Sequence, residues 1–189
     1  DSGAAGWTQT AKLVASDAAP QDFFGSAVAL SGERAIVGAV QVDLFAVGPG
    51  KAYIYEHSGG AWNQVIRLDP DGATIGLFGT AVAIDGDIAM VGALINTDFG
   101  LNSGAVYVFA RNAGTWTFVQ KLNASDVINN DTFGGQIALS GARAVIGARQ
   151  DNHMGSNAGS AYVFEQVSGS WLQVAKLIPS DAAANAYFG

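Results

Sequence analysis

The oxygen-bearing side chains of this chain are bunched. The stretch "RQDNHMGSNAG" gathers Asp151, Asn152, His153, Ser156 and Asn157. "NTDFGLNSG" gathers Asn96, Asp98 and Asn102, and "VQVDLFAVGPG" holds Asp43. Carboxylate and amide oxygens at close spacing are the ligands calcium takes. Two sets are therefore candidates for a calcium site: Asp151, Asn152 and Asn157, or Asn96, Asp98 and Asn102. The competing reading is that Asn, Asp and Gly are the ordinary residues of turns. The Ser-Asp pairs Ser16-Asp17, Ser125-Asp126 and Ser180-Asp181, with Asp69-Pro70-Asp71 at the matching place, read as turn-forming side-chain hydrogen bonds rather than ligands. His153 beside Asp151 could serve acid–base chemistry. Neither it nor His57, read as a hairpin-turn residue, stands in a nucleophile or zinc motif, so no catalytic residue is assigned.

Composition narrows the classes. The 189 residues are 49% hydrophobic with 25 Gly, enough to bury a core, and only 13% are charged, for a net charge of −7. Phosphate recognition needs clustered Lys and Arg, so a nucleic-acid partner is not expected. No apolar run reaches 18 residues, so insertion of a helix into a membrane is not expected either. With no cysteine there is neither a disulfide framework nor a thiolate metal site. No leader is visible at Asp1, which is read as removal of a leader or as excision from a longer chain.

The loops recur on a fixed beat. Phe24, Phe78, Phe133 and Phe188 are each followed by Gly, at spacings of 54, 55 and 55 residues, and Trp7, Trp62, Trp116 and Trp171 keep spacings of 55, 54 and 55. A constant period means one structural unit used several times. Each unit carries four short runs: "SAVALSG", "RAIVGA", "KAYIYE" and "WNQVIRL" in the first copy. Runs rich in Val, Ile, Tyr and Phe, bounded by Gly, Ser, Asp and Asn, are strands.

Alternation places the strands. In the first, Ala27 and Ala29 share one face and Val28 and Leu30 the other; neither is polar, so the strand is expected to be covered on both sides. The fourth is half polar and carries Lys12, Arg67, Lys121 or Lys176 at one fixed place. A charge there suits an exposed sheet edge, so the fourth strand is outermost and the first two innermost. A four-stranded sheet, apolar on both faces and repeated, is a β-propeller blade. The expected fold is an all-β propeller of antiparallel four-stranded blades with about three present: blade 1 near 23–68, blade 2 near 77–122, blade 3 near 132–177, a surplus outer strand at 7–13 and the start of a further blade at 187–189. Three blades are too few to close a ring, so this is expected to be part of a longer propeller or a ring completed by association of copies. The ten-residue loops 40–49, 94–103 and 149–158 share one end with the fourth-to-first connections, and recognition is expected on that end.

Phe24-Gly25 with Val37-Gly38-Ala39, Phe78-Gly79 with Val91-Gly92-Ala93, and Phe133-Gly134 with Ile146-Gly147-Ala148 resemble the FG-GAP repeat, the blade of integrin α-subunits and of many bacterial surface proteins. The "W-x-Q-x-x-K-L" strand resembles the bacterial subgroup. The third element of the family name departs, since Val40, Leu94 and Arg149 replace its proline. The calcium loop of integrin-type blades, between strands one and two, does not carry over: "SGER" and "SGAR" lack aspartate and "IDGDI" has only Asp85 and Asp87. The resemblance implies a non-enzymatic extracellular or cell-surface binding or adhesion module that contacts a protein or glycan, and the long loops offer Asp43, Asn96, Asp98, Asn102, Asp151, Asn152, His153 and Asn157 for that contact. The alternatives are a structural unit that self-associates into homo-oligomers and a glycan-active hydrolase. No cofactor is required on this reading, calcium being the one candidate.

Overall fold

A computed structural model describes residues 6–42, 48–70 and 76–189. The β-branched and aromatic runs form twelve strands: β1 (Phe24–Ser31), β2 (Arg34–Ala39), β3 (Lys51–Ser58), β4 (Ala61–Leu68), β5 (Phe78–Asp85), β6 (Ile88–Ala93), β7 (Ala105–Asn112), β8 (Thr115–Leu122), β9 (Phe133–Ser140), β10 (Arg143–Ala148), β11 (Ser160–Val167) and β12 (Ser170–Leu177). They pair in sequence order into three antiparallel four-stranded sheets. The register repeats from sheet to sheet: Val37 opposes Tyr53, Val91 opposes Tyr107 and Ile146 opposes Tyr162. These are three propeller blades, and they do not close into a ring. There is no helix among the described residues, and so none long and apolar enough to cross a membrane.

Each blade has a front face toward the blade before it and a back face toward the blade after. Ala27, Ala29, Ile36 and Ile54 on the back of blade 1 pack against Phe78, Val82, Ile84, Val91, Tyr107 and Trp116 on the front of blade 2. Ala83, Met90, Val106 and Val108 repeat the joint against Phe133, Ile146, Tyr162 and Trp171 of blade 3. At each joint backbone meets backbone. A Cβ on Gly38 would run into the carbonyl of Gly79, and one on Gly92 into that of Gly134. Parallel bridges join Gly50 to Phe78, Gly104 to Phe133 and Gly159 to Phe188. The two glycine motifs are thus halves of one contact between neighbouring blades.

Three expectations are corrected. Residues 7–13 form no strand, and Trp7 is wholly exposed. A fourth strand needs the third strand of its own blade as hydrogen-bond partner, and none of the described residues supplies one. Leu13, with Ala15 just beyond the segment, packs on the front of blade 1. Second, only β5 is covered on both faces. Val28 (70% exposed) and Leu30 (66%) on the front of blade 1 meet no other blade among the described residues, and neither do Gln136 and Ala138 on the back of blade 3. Third, His57 lies within β3, where it meets Glu33 at 2.6 Å and packs on Trp62 at 5.3 Å.

The tryptophans report the same asymmetry. Trp116 (5% exposed) and Trp171 (1%) are sealed in joints, whereas Trp62, on the open front face, is half-buried. Trp116→Ala and Trp171→Ala should each cost about 3–5 kcal/mol, and Trp62→Ala clearly less, measured by urea unfolding. Gly92→Ala forces a backbone joint apart and should cost about 3 kcal/mol, the upper range for overpacking, whereas Gly114→Ala, at an open turn where only the left-handed backbone (φ 87°) resists a side chain, should cost about 1–2 kcal/mol in the same assay.

Candidate functional site

At the long-loop end each blade carries a polar cluster built on one tyrosine. Tyr53, Tyr107 and Tyr162 are fully buried. Their rings meet the motif phenylalanines edge-on, Phe24, Phe78 and Phe133, at 5.6, 5.2 and 5.7 Å. The hydroxyl group reaches the loops. In blade 1, Tyr53 donates to Asp17 Oδ1 at 2.9 Å, and Asp17 Oδ2 also takes Arg67 at 2.9 Å and Lys51 at 3.2 Å. In blade 2, Lys121 Nζ lies 2.6 Å from Asp98 Oδ2 and 4.7 Å from the centre of the Tyr107 ring. In blade 3, the Tyr162 hydroxyl lies 2.9 Å from Asp126 Oδ1 and 2.7 Å from Asp151 Oδ2, while Lys176 Nζ bridges Asp126 at 2.6 Å and Asp151 at 2.7 Å.

The repeated Arg67, Lys121 and Lys176 therefore do more than line an outer edge. Each turns along its strand toward a loop carboxylate, which corrects the edge-guarding role expected from alternation alone. Lys12, in the segment that forms no strand, is exposed.

The clusters fix their charges. The hydrogen bond from Arg67, with those from Tyr53 and Lys51, holds the Asp17 carboxyl down at about 2. Burial opposes the charged form of Asp151, but hydrogen bonds from Lys176, the His153 amide and Tyr162 outweigh it and keep this carboxyl well below the usual range. Asp126 is held low in the same way, against its burial, by Lys176 and Tyr162. The hydrogen bond from Lys121 lowers Asp98. Burial, with the adjacent Asp151 and Asp126, pushes the Tyr162 hydroxyl far above its ordinary value.

Of the expected site residues, the structure brings Asp151 and His153 together: His153 Nδ1 is 2.7 Å and its amide 2.8 Å from Asp151 Oδ1. Asn152 and Asn157 are spent on loop shape. Asn152 Oδ1 accepts the Asn157 amide at 2.9 Å, and Asn157 Nδ2 donates to Asn185 at 3.3 Å. Asn96 Nδ2 donates to Asp98 at 3.3 Å, but Asn102 donates away from them, to Asn130 at 3.1 Å. Both candidate calcium sets are thus split between different partners. Asp43 lies outside the described residues. Asp17 and Asp126, read as turn formers, sit in the clusters; so do Asp22 and Asp131, which the sequence reading left out. Their signal was periodic: Asp17 and Asp126 stand seven residues before Phe24 and Phe133, and Asp22 and Asp131 two before.

Three open blades with a set of braced loops on one end define a β-propeller-type binding module. The chain belongs to the FG-GAP repeat family, which matches it over residues 7–55, 62–109 and 116–164. The crystal structure of Chaetomium thermophilum Sqt1 is similar in fold, with a TM-score of 0.56 at 16% identity, over 84% of this chain and 36% of that one. The chain therefore spans little more than a third of that protein's length. A search of curated proteins gave no match.

Carboxylates held low contribute stability that is complete above the unfolded value of 3.8 and is lost as pH falls through the folded value. The Asp17 contribution should thus persist at pH 5 and disappear between about 4 and about 2. Acid unfolding followed by circular dichroism should be less steep in Asp17→Asn. Lys176→Met takes the ammonium away from the buried Asp151 carboxylate and should cost about 3 kcal/mol, whereas Lys12→Met should change stability by less than about 0.5 kcal/mol; urea unfolding of the two variants checks this.

Proposed function

We propose that this chain is a non-enzymatic, extracellular adhesion module whose long-loop face contacts a protein ligand, a glycan being the alternative class. One observation carries the reading. Phe99, Leu101 and Ile128 are exposed on two loops that are stitched to each other. The Leu101 amide donates to Asn129 Oδ1 at 2.9 Å, the Asn130 amide donates to the Leu101 carbonyl at 2.7 Å, and Gly100 lies against Ile128 and Asn129. Apolar side chains held out to solvent on braced loops, with Asn102, Asn129 and Asn130 beside them, have the composition of a contact patch. The clusters beneath support a non-catalytic role. A general acid or base needs a pKa near the working pH, and Asp126 and Asp151 are pinned far below it.

The double variant Phe99→Ser/Leu101→Ser tests the reading. Against a panel of extracellular matrix proteins and a glycan array, binding by the parent chain should fall about tenfold or more in the variant, as loss of central anchors does, with an unchanged circular dichroism spectrum. Binding that survives the double substitution, or turnover of glycoside or ester substrates, would overturn it.

A second reading, self-association through blade faces, is favoured by the exposed front of blade 1 and by Val145, Leu172 and Leu177 exposed on the back of blade 3. Arg34 reaches across a joint to Asp87 at 3.3 Å. Arg143 holds the same place on blade 3, largely exposed, and Glu33 the place of Asp87 on blade 1. Light scattering decides: a multiple of 19.3 kDa supports this reading, and a stable monomer removes it.

A further inference from the structure

Blades 1 and 3 are the same unit, yet their polar clusters are completed differently. In blade 1, Lys51 stands between two carboxylates, 3.2 Å from Asp17 and 3.6 Å from Asp22. In blade 3 the matching carboxylates are Asp126 and Asp131, but the residue matching Lys51 is Ser160. Both open the third strand of their blade, Lys51 opposite Ala39 and Ser160 opposite Ala148. Blade 3 also adds a third carboxylate, Asp151, at the place of Val42. Three carboxylates therefore gather around one ammonium, that of Lys176.

Two buried oxygen atoms there are left without partners, although the other Asp131 oxygen accepts the Ile128 amide at 2.7 Å. Asp131 and Ser160 are each 1% exposed, and neither Asp131 Oδ1 nor Ser160 Oγ has a hydrogen-bond partner among the described residues. Their places in the repeat put both beside the cluster. Ser160 lies two residues before Tyr162 on β11 and so on the same face. The side chain at its place in blade 1 reaches Asp17 and Asp22, the residues that Asp126 and Asp131 match. Buried polar atoms without partners are uncommon, and each calls for an explanation such as an ion or its waters.

One ligand atom from each of Asp126, Asp151 and His153 lies within 4.8 Å of the others. His153 Nε2 is 3.7 Å from Asp126 Oδ2. Each carboxylate offers about four lone-pair sites. Asp126 spends two, on Lys176 and Tyr162; Asp151 spends four, on Lys176, Tyr162 and the His153 amide and Nδ1, and the last is given up when His153 turns to a metal ion. One imidazole nitrogen with two carboxylates suits a transition metal with an open position, and not calcium, which takes 6–8 oxygens.

We propose that Asp126, Asp151 and His153 form a binding site for a divalent transition-metal ion of the zinc class, with Asp131 and Ser160 accepting hydrogen bonds from its bound water. The ion supplies to blade 3 the second cation that Lys51 supplies to blade 1. It joins the connection from blade 2, the β10–β11 loop and the base of β11 at one point, bracing the long-loop face.

Zinc chloride titrated into the chain, followed by calorimetry and by thermal unfolding, tests the site. One equivalent should bind and raise the melting temperature, and His153→Gln, a half-exposed loop position, should weaken that binding about tenfold or more, the scale of loss when a metal site loses a determinant. His57→Gln, at the distant β3 hairpin, should leave it unchanged. Cobalt chloride should give a visible spectrum that His153→Gln abolishes. No uptake by the parent chain, or uptake with the same affinity in His153→Gln at an unchanged circular dichroism spectrum, overturns the proposal.

Discussion

Neighbouring blades approach until backbone touches backbone, and nearly everything else in this molecule is arranged to allow it. The carbonyl groups of Gly79 and Gly134 lie where a side chain on Gly38 or Gly92 would be. Side chains can be exchanged for others of similar volume at modest cost, but a backbone contact admits no substitute. The spacing between sheets is therefore set by the chain itself, and the apolar side chains fill whatever volume that spacing leaves. This is why Ala27, Ala29, Ala81 and Ala83 line one side of the joint while Phe, Tyr and Trp line the other.

The same contact carries order out to the loops. Each motif glycine follows a phenylalanine whose ring packs edge-on against a buried tyrosine. That tyrosine ends in a hydroxyl which, in blades 1 and 3, is bonded to aspartate, and each aspartate is held by Lys or Arg from the outermost strand. The outer edge of a blade is thereby tied to its inner joint through one line of side chains. In blade 3, removing Lys176 would leave the buried Asp151 carboxylate without its ammonium, a larger loss than an exposed ion pair contributes. At the opposite end, Asp85 accepts from Ser31 and from the Gly141 amide, so one carboxylate ties three blades together.

Much of this architecture was legible in the residues. Period, strand number, strand order and loop ends all follow from local patterning, since each blade repeats the same alternation and the same turn glycines. What patterning could not supply was partnership. Residues 7–13 read as a strand because they copy one, but a strand exists only beside its neighbour. Val28 and Leu30 read as buried because Val82 and Ile84 are, yet no blade among the described residues faces them. Lys176 read as an edge charge because alternation reports which way a residue points, not what its long side chain reaches. Asp131 and Ser160 gave no signal singly; they become visible only when blade 3 is set beside blade 1 and Lys51 is found to have no counterpart.

The stretches that match the family do not coincide with blades. The middle one, 62–109, begins on β4 of blade 1 and ends on β7 of blade 2, so a unit of sequence corresponds to a seam and not to a sheet. Growth or loss of one unit then adds or removes an entire seam and leaves the others as they were. Cohesion in such an array is counted in seams, and a chain of three sheets has two. The middle sheet is gripped from both sides while each outer sheet is gripped from one, so opening should begin at the outer sheets and travel inward, one seam at a time.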